Sequence, residues 1–229
     1  MKLCTTLSAL LSARRALLIG AFAIAGVTLL QGCFPIFAAG VGATALMVSD
    51  RRTLGASVDD GAIERKVSNL VRKNYGTINR VNVTSYNRNV LLTGEVQDES
   101  VRTEVERLAG TVENVRAVIN ELVVGPPSTL SSRSGDSAIT ANVKARFVNN
   151  GVFMPNHVKV ITEAGSVFLL GIVTSAEADR ASEIASTSKG VTKVVRAFEI
   201  IGEKEAQAID TRSAEESNNN SNSFPPEAP

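Results

Sequence analysis

Two apolar segments with the same pattern decide the fold: VLLTGEV at residues 90–96 and VFLLGIV at residues 167–173. They stand 77 positions apart, and each follows a segment in which valine alternates with polar residues, at 81–83 and at 158–160. Such alternation predicts a strand with one buried face, and a β-branched run beyond a short turn predicts its partner strand. The chain therefore contains two copies of one predicted β-hairpin.

Each predicted hairpin has a turn at its tip and a glycine near the end of its second strand. The turn is NRN at residues 87–89 in the first copy and AG at residues 164–165 in the second. Gly94 and Gly171 occupy equivalent positions, and we expect them to allow a helix to approach the strand closely.

Helical patterns precede both hairpins. In the first copy Ile63 and Val67 lie at helical spacing, and Asp59 or Asp60 is expected to cap the start of the helix. In the second copy the apolar positions of residues 139–147 repeat this spacing.

After each hairpin the pattern predicts a second helix and a closing strand. Asp98 is the expected N-cap in the first copy, and Thr174 with Glu177 forms a predicted capping box in the second. Residues 115–124 and 191–200 are the predicted last strands. The predicted fold class is α+β, with two tandem domains that are each a three-stranded mixed sheet with two helices on one face, in the order helix-strand-strand-helix-strand. In this prediction only the face of each sheet under the helices has to be buried.

The N-terminal segment predicts export and lipid attachment. Residues 1–32 combine basic residues with an uncharged apolar run at 16–30, which is typical of a bacterial signal peptide. The run ends in LQGC at residues 30–33, which resembles the lipobox of bacterial lipoproteins. Cys33 is then the predicted first mature residue and the lipid attachment site, because a thiolate can form the required thioether.

The residue after the cysteine predicts where the lipoprotein goes. By analogy with lipoprotein sorting, Phe34 in place of an aspartate favours the outer membrane, with the protein on the periplasmic face. Several acyl chains, palmitate among them, hold a protein stably on a bilayer.

These patterns divide the chain into segments. The predicted tail combines six acidic and two basic residues with a Pro-rich end, which is typical of disorder. The segments are a signal peptide at 1–32, a lipidated tether at 33–58, a first domain at 59–124, a Gly-, Pro- and Ser-rich linker at 125–135, a second domain at 136–202 and a disordered acidic tail at 203–229.

Composition excludes several classes of function. Aromatic residues make up 4% of the chain and Trp is absent, so a stacking platform for sugars or single-stranded nucleic acid has little material. The formal net charge of +1 gives no basic excess for phosphate neutralisation. One His and two Cys are too few for a zinc or iron–sulfur site, and His157 is expected to face solvent. We expect no catalytic residue, no metal, no cofactor and no nucleic-acid partner.

In their order along the chain, these segments resemble the outer-membrane lipoproteins with two BON domains, of the DolP type. The resemblance rests on LQGC at 30–33, DRRTLG at 50–55, VDDG at 58–61 and the glycines at 94 and 171. It implies a non-enzymatic periplasmic protein that binds anionic phospholipid through its second BON domain and supports outer-membrane integrity. Outer-membrane assembly or division-site proteins are the candidate protein partners.

The first helix of each copy tests this implication independently, because only the face away from the sheet is free to meet a ligand. In the first copy that face carries polar residues, namely Arg65, Ser68, Asn69 and Arg72. In the second copy it is apolar beside a lysine, and Arg146 lies nearer the core. The predicted membrane-contact residues are Ala138, Ala141, Lys144, Ala145 and Val148.

Small apolar side chains with a basic neighbour suit a shallow contact with an anionic bilayer. The same strip could instead pack against the first domain, or carry alanine for helix propensity alone. In a protein-interaction adaptor, the alternative function, it would dock another envelope protein.

Overall fold

A computed structural model describes residues 50–76 and 79–221. The predicted signal peptide and the lipid attachment site Cys33 lie outside the described residues. The first domain comprises α1 (Leu54–Tyr75), β1 (Arg80–Tyr86), β2 (Asn89–Val96), α2 (Glu99–Gly110) and β3 (Ala117–Val124). The second comprises α3 (Leu130–Val148), a short 3-10 turn (Pro155–His157), β4 (Val158–Glu163), β5 (Ser166–Val173), α4 (Ser175–Ser186) and β6 (Lys193–Ile200), and α5 (Glu203–Ser221) follows it.

The two sheets have the same topology. Each has three strands with the second strand of the hairpin in the middle, in the orders β1-β2-β3 and β4-β5-β6. The hairpin strands pair antiparallel, and the closing strand pairs parallel to the central one. The predicted α+β class, with two copies of a three-stranded mixed sheet, is confirmed.

One face of each sheet is buried under its own two helices. Alternate residues of β2, such as Val90 and Leu92, pack with Ile63 and Val67 of α1. Likewise, Val167, Leu169 and Val173 of β5 pack with residues of α3 and α4, in a cluster that includes Val143, Phe147, Ala178 and Ile184.

The opposite faces of the sheets are also buried, because they pack on each other. Leu91 of β2 points away from the helices and joins Phe168, Leu170 and Ile172 of β5 in a third apolar cluster. The expectation that only one face of each sheet needs a cover is therefore wrong. Within residues 54–200 the two domains form four layers, with the helices of the two domains on opposite outer sides.

Polar pairs surround this interface between the sheets. Arg80 and Asn82 of β1 bind Glu163 at the end of β4, with Arg80 Nη1 to Oε1 at 2.5 Å and Asn82 Nδ2 to Oε2 at 2.8 Å. On another side of the interface, Lys193 Nζ lies 2.9 Å from Glu121 Oε2. The interface thus has an apolar centre and a charged rim.

The first helix of each domain begins earlier than the sequence predicts. Thr53 caps α1 by accepting a hydrogen bond from the Ala56 N–H, so the predicted cap at Asp59 or Asp60 is wrong. Asp60 is instead buried and accepts hydrogen bonds from the N–H groups of Asn87 and Arg88 in the β1–β2 turn.

The second domain repeats this arrangement with an earlier cap and a buried carboxylate. Thr129 caps α3, so residues 130–135 of the predicted linker are helical. Asp136 accepts from the N–H groups of Ala164 and Gly165, the positions that match Asn87 and Arg88. The predicted N-caps Asp98 and Thr174, the latter with its capping box, are confirmed.

The predicted disordered tail contains a helix. Residues 203–221 form α5, where Ala206 is buried and Asp210 pairs with Arg51 near the start of the described chain. Composition predicted disorder because the segment is acidic and ends in a Pro-rich stretch, but the ion pair of Asp210 with Arg51 and the burial of Ala206 attach the helix to the rest of the structure. Residues 222–229 lie outside the described residues.

Gly94 and Gly171 have a different role from the one predicted. Both lie within the central strands, and a Cβ at either would meet a backbone oxygen of the neighbouring strand's start, Arg80 O at 2.0 Å or His157 O at 2.4 Å. The close approach is between strands and involves no helix. Across the described part of the chain, no helix combines the length and apolar character needed to cross a membrane.

Candidate functional site: the outer face of helix α3

The predicted membrane-contact residues lie together on the outer face of α3. All of them are solvent-exposed, and Val148 at the end of the helix is 68% exposed. The helix is held by its other face, where Val143 and Phe147 are buried in the core of the second domain. The full set of exposed predicted residues is Ala138, Ala141, Lys144, Ala145 and Val148.

Sequence reasoning missed the first residue of this strip. Leu130 is 75% exposed and stands five turns before Val148, so both point to the same side of the helix. The distance along the axis between them is about 27 Å at a rise of about 1.5 Å per residue. The sequence pattern places Leu130 in the predicted linker, and the signal that would place it on the helix is Thr129, a favourable N-cap residue.

Two further apolar side chains follow the helix. Val152 and Met154 are exposed in the loop after α3, whereas Phe153 between them is buried against Phe147. The alternation arises because Asn150 holds this loop, accepting hydrogen bonds from the N–H groups of Val152 and Phe153.

The charges on α3 divide between the outer face and the core. Lys144 is exposed and forms no ion pair with any described residue. Arg146 is half-buried and donates to the carbonyl oxygen of Ile184 at 2.7 Å and to Ser188 Oγ at 2.6 Å. Arg133 has a buried Nε without a hydrogen-bond partner. Since Asp136 is buried beneath the hairpin turn, the exposed face of α3 has no carboxylate.

The equivalent face of α1 is polar from residue 65 to residue 72, whereas Leu54 and Val58 at the start of that helix are exposed and apolar. Arg65, Asn69 and Arg72 are exposed there, and Arg72 donates to the Asn69 side chain at 2.8 Å. The structure therefore shows the contrast between residues 65–72 of α1 and residues 141–148 of α3, but not at the starts of the helices, where Leu54 and Leu130 are both exposed.

One alternative use of the α3 strip is excluded. The domains pack through their sheets, so the strip is not covered by the first domain. Alanine for helix propensity alone would not explain why Val148, which is also exposed, lies on this same side.

His157 lies in a buried charged cluster, so the prediction that it faces solvent is wrong. Its side chain is 4% exposed and lies near Arg51, Glu177 and Asp210, with Nδ1 3.7 Å from Glu177 Oε1. Burial, assisted by the charge of Arg51, holds the pKa of His157 below its ordinary value. The residue is neutral near pH 7, and its buried Nδ1 has no hydrogen-bond partner among the described residues.

The guanidinium of Arg51 is the centre of this cluster. It contacts Glu177 at 2.6 Å and Asp210 at 2.8 Å, and its side chain is 3% exposed. Hydrogen bonding to Arg51 lowers the pKa of Asp210. Burial of Glu177 opposes ionisation, yet its hydrogen bonds with Arg51 and Thr174 hold its pKa below the ordinary value.

The repeated domain has a known family model. The model of the BON domain matches residues 59–126 and again residues 135–202. The chain belongs to the BON-domain family. The first BON domain is thus the unit of α1 to β3, and the second BON domain contains the exposed strip of α3.

Proteins with similar sequences are found in several bacteria. The outer membrane lipoprotein DolP of Haemophilus influenzae is 41% identical over 174 residues, which is 75% of this chain and 90% of that protein. The 21 kDa hemolysin of Actinobacillus pleuropneumoniae is 35% identical, over 66% of this chain and 79% of its own. The osmotically-inducible protein Y of Escherichia coli is 33% identical, over 64% of this chain and 75% of its own.

A solved structure also aligns with the chain. It is that of CdsD, a structural protein of the type III secretion system of Chlamydia trachomatis, with 12% identity over 65% of this chain and 97% of its own. The TM-score of 0.26 is too low to support any argument.

Proposed function

We propose that this protein is an outer-membrane lipoprotein, anchored through Cys33 on the periplasmic side, that binds anionic phospholipid through the second BON domain and supports outer-membrane integrity. The observation that carries the proposal is the exposed strip of α3, apolar at Leu130 and from Ala138 to Val148, with Lys144 beside it and no carboxylate. The similarity to a lipoprotein named for the outer membrane supports the anchor and the location.

The chemistry of the strip matches a shallow interfacial contact. Leu130 and Val148 at its ends can enter the boundary between headgroups and acyl chains, and the alanines between them let the helix lie close to the surface. Lys144 meets lipid phosphates, which is worth about 1 kcal/mol near an anionic surface. Val152 and Met154 extend the exposed apolar residues beyond the helix.

Paired substitutions in the two first helices test this function. Lys144→Glu with Val148→Glu places two carboxylates on the strip, and we expect binding to phosphatidylglycerol vesicles to weaken by about tenfold or more. The matched control is Ser68→Glu with Arg72→Glu, at the equivalent positions of α1. Vesicle co-sedimentation should use residues 34–229 without lipid, because the described unit contains all three apolar clusters.

The two outcomes separate lipid binding from protein docking. Loss of vesicle binding in the α3 variant but not in the α1 variant supports the proposal. Absence of vesicle binding by the unsubstituted chain would contradict it and would leave the strip as a docking face for another envelope protein.

A further inference from the structure

A shallow hollow of about 430 Å³, wide open to solvent, lies on the helical side of the first BON domain, between α1 and the segment that follows α2. Leu70 and Val112 give it an apolar lining, and Lys66, Lys73 and Glu113 are the charged residues around it. The hollow is separate from the strip on α3, which belongs to the other domain.

The internal repeat shows what this space can hold. Arg146 of the second BON domain stands where the first has Leu70, 76 positions earlier. Its guanidinium extends to Ser188 and Thr187, the residues that match Val112 and Thr111 of the hollow. The second domain thus fills this place with its own side chain, whereas in the first domain the shorter Leu70 leaves it open.

The charges around the hollow favour an acidic ligand. From residue 65 to the end of α1 at Tyr75 the helix carries four cations and no acidic residue. Within the described part of the chain, Lys73 forms no ion pair, and Lys66 has only Glu113 at 3.6 Å. That pair is weak because both side chains are mostly exposed, 54% and 80%. An incoming carboxylate can therefore displace it.

The side of the molecule on which the hollow lies indicates which kind of ligand can reach it. The helices of the two BON domains lie on opposite outer sides, so α1 faces the periplasm when α3 lies on the membrane. This step rests on the proposed function. The hollow would then point away from the bilayer that holds the protein, which favours a polypeptide over a lipid headgroup.

We propose that the hollow is a docking site for an acidic segment of a partner protein. One apolar side chain of that segment lies in the hollow against Leu70 and the exposed edge of Val112, and flanking carboxylates face Lys66 and Lys73. This function is an addition to phospholipid binding and uses the other domain.

A labelled peptide tests the proposal directly. The probe is acetyl-DDEFEDD-amide with a fluorophore, titrated with the full lipidated chain in neutral detergent micelles at moderate salt, with fluorescence anisotropy as the readout. We expect saturable binding that weakens about tenfold or more when the central Phe of the peptide becomes Ala, because Ala loses most of the apolar contact with the hollow. A lysine version, KKKFKKK, should not bind.

Variants of the hollow locate the binding. Lys73→Glu should weaken it about fivefold or more. Leu70→Arg, which copies the residue at position 146, should also abolish it by filling the space. Glu113→Gln frees Lys66 and removes a repulsive charge, so it should tighten binding about two- to fivefold. Arg65→Glu is the matched control, because it makes the same charge change on α1 outside the hollow.

Each contrary result would overturn the proposal. Unsaturable binding, indifference to the central Phe, or an equal loss in Arg65→Glu and Lys73→Glu would show non-specific attraction. Thermal unfolding of each variant separates misfolding from lost binding, and the gain expected from Glu113→Gln cannot come from misfolding. If Lys73→Glu abolished binding to anionic vesicles, the hollow would be a lipid site. The α3 variants test the proposed function independently, since they should leave peptide binding unchanged.

Discussion

Asp59 and Asp60 are neighbours in the chain but have different structural roles. Asp59 lies at the surface, where it pairs with Arg88 at 2.7 Å. Asp60 is buried and receives hydrogen bonds from Ser85 and from the N–H groups of the β1–β2 turn. Burial opposes its ionisation, but these hydrogen bonds and the one from Arg52 prevail and hold the pKa of Asp60 below its ordinary value.

Asp60→Asn should therefore destabilise the protein by roughly 3 kcal/mol, because it removes the charge from a buried set of hydrogen bonds that includes Arg52. Asp59→Asn, its neighbour, should cost about 1 kcal/mol or less. Chemical denaturation of both variants at pH 7 measures the difference. Equal losses would contradict the assignment of Asp60 as the residue that holds the turn.

The sequence pattern predicted a capping role for each of these aspartates, and the structure confirms that role only for some of them. Aspartate before an apolar-periodic helix indicates a cap, and Asp98 confirms that rule. Asp60 departs from it because its partners, the turn N–H groups, lie 27 and 28 positions along the chain. The repeat contained the missing signal, since Asp136 recurs at an offset of 76 with its own turn at an offset of 77.

At the scale of elements, α5 is the helix that composition alone could not predict. Its attachment depends on Arg51, which joins Asp210 of α5 to Glu177 of α4 beside the buried His157. All three titratable partners have pKa values below their ordinary ranges. The folded arrangement therefore binds fewer protons than the detached one.

Acid should accordingly release α5. Stabilisation from His157 is present above its ordinary pKa of about 6.5 and is lost as the pH falls through its lower folded value. The stabilisation from Glu177 and Asp210 is likewise present above their ordinary pKa values of about 4 and is lost as the pH falls through their lower folded values. We expect hydrogen exchange in residues 203–215 to accelerate as the pH falls below about 6.5, after correction for the intrinsic rate. Faster detachment at alkaline pH would have the wrong sign.

Arg51→Gln tests the same attachment at constant pH. It leaves Glu177 buried without its cation, which should cost about 3–5 kcal/mol, and it frees Asp210. Trypsin should then cleave after Arg212 in α5 faster than in the unsubstituted chain. Arg212→Gln in the same background is the control that identifies the cleavage site. Unchanged cleavage would show that α5 is held by other contacts.

At the scale of the whole molecule, the sheet-to-sheet interface makes one body of two domains. The apolar centre combines Leu91 of the first BON domain with Phe168, Leu170 and Ile172 of the second. Because each domain buries part of the other, their unfolding is coupled.

Phe168→Ala should separate the two unfolding events. Loss of a buried Phe side chain costs about 3–5 kcal/mol, all of it at the interface. We expect one calorimetric transition in the unsubstituted chain and two in the variant. Val123→Ala, at an exposed position of β3, is the control and should keep one transition. Two transitions in the unsubstituted chain would contradict the shared core.

The fold of each BON domain was predictable because its signals are local and occur twice. Helix periodicity, strand alternation and turn residues all repeat at nearly one offset. The packing of sheet on sheet was not predictable, because Leu91 and Phe168 lie 77 positions apart in the chain. The sequence pattern shows that they are apolar strand residues but not whether a helix or another sheet covers them. For the site, the helical periodicity of α3 predicted which residues from Ala138 to Val148 are exposed. It did not extend the strip back to Leu130, because the predicted helix began too late.

The central claim is that α3, and not α1, meets the membrane, and a label on each helix tests it most directly. Residues 34–229 contain no cysteine, so Ala145→Cys and the equivalent Asn69→Cys can each carry one nitroxide. Power saturation on phosphatidylglycerol vesicles then reports the depth of each label. The account predicts the label at 145 in the headgroup boundary and the label at 69 in water. Both labels in water, or the reverse order of depth, would contradict it.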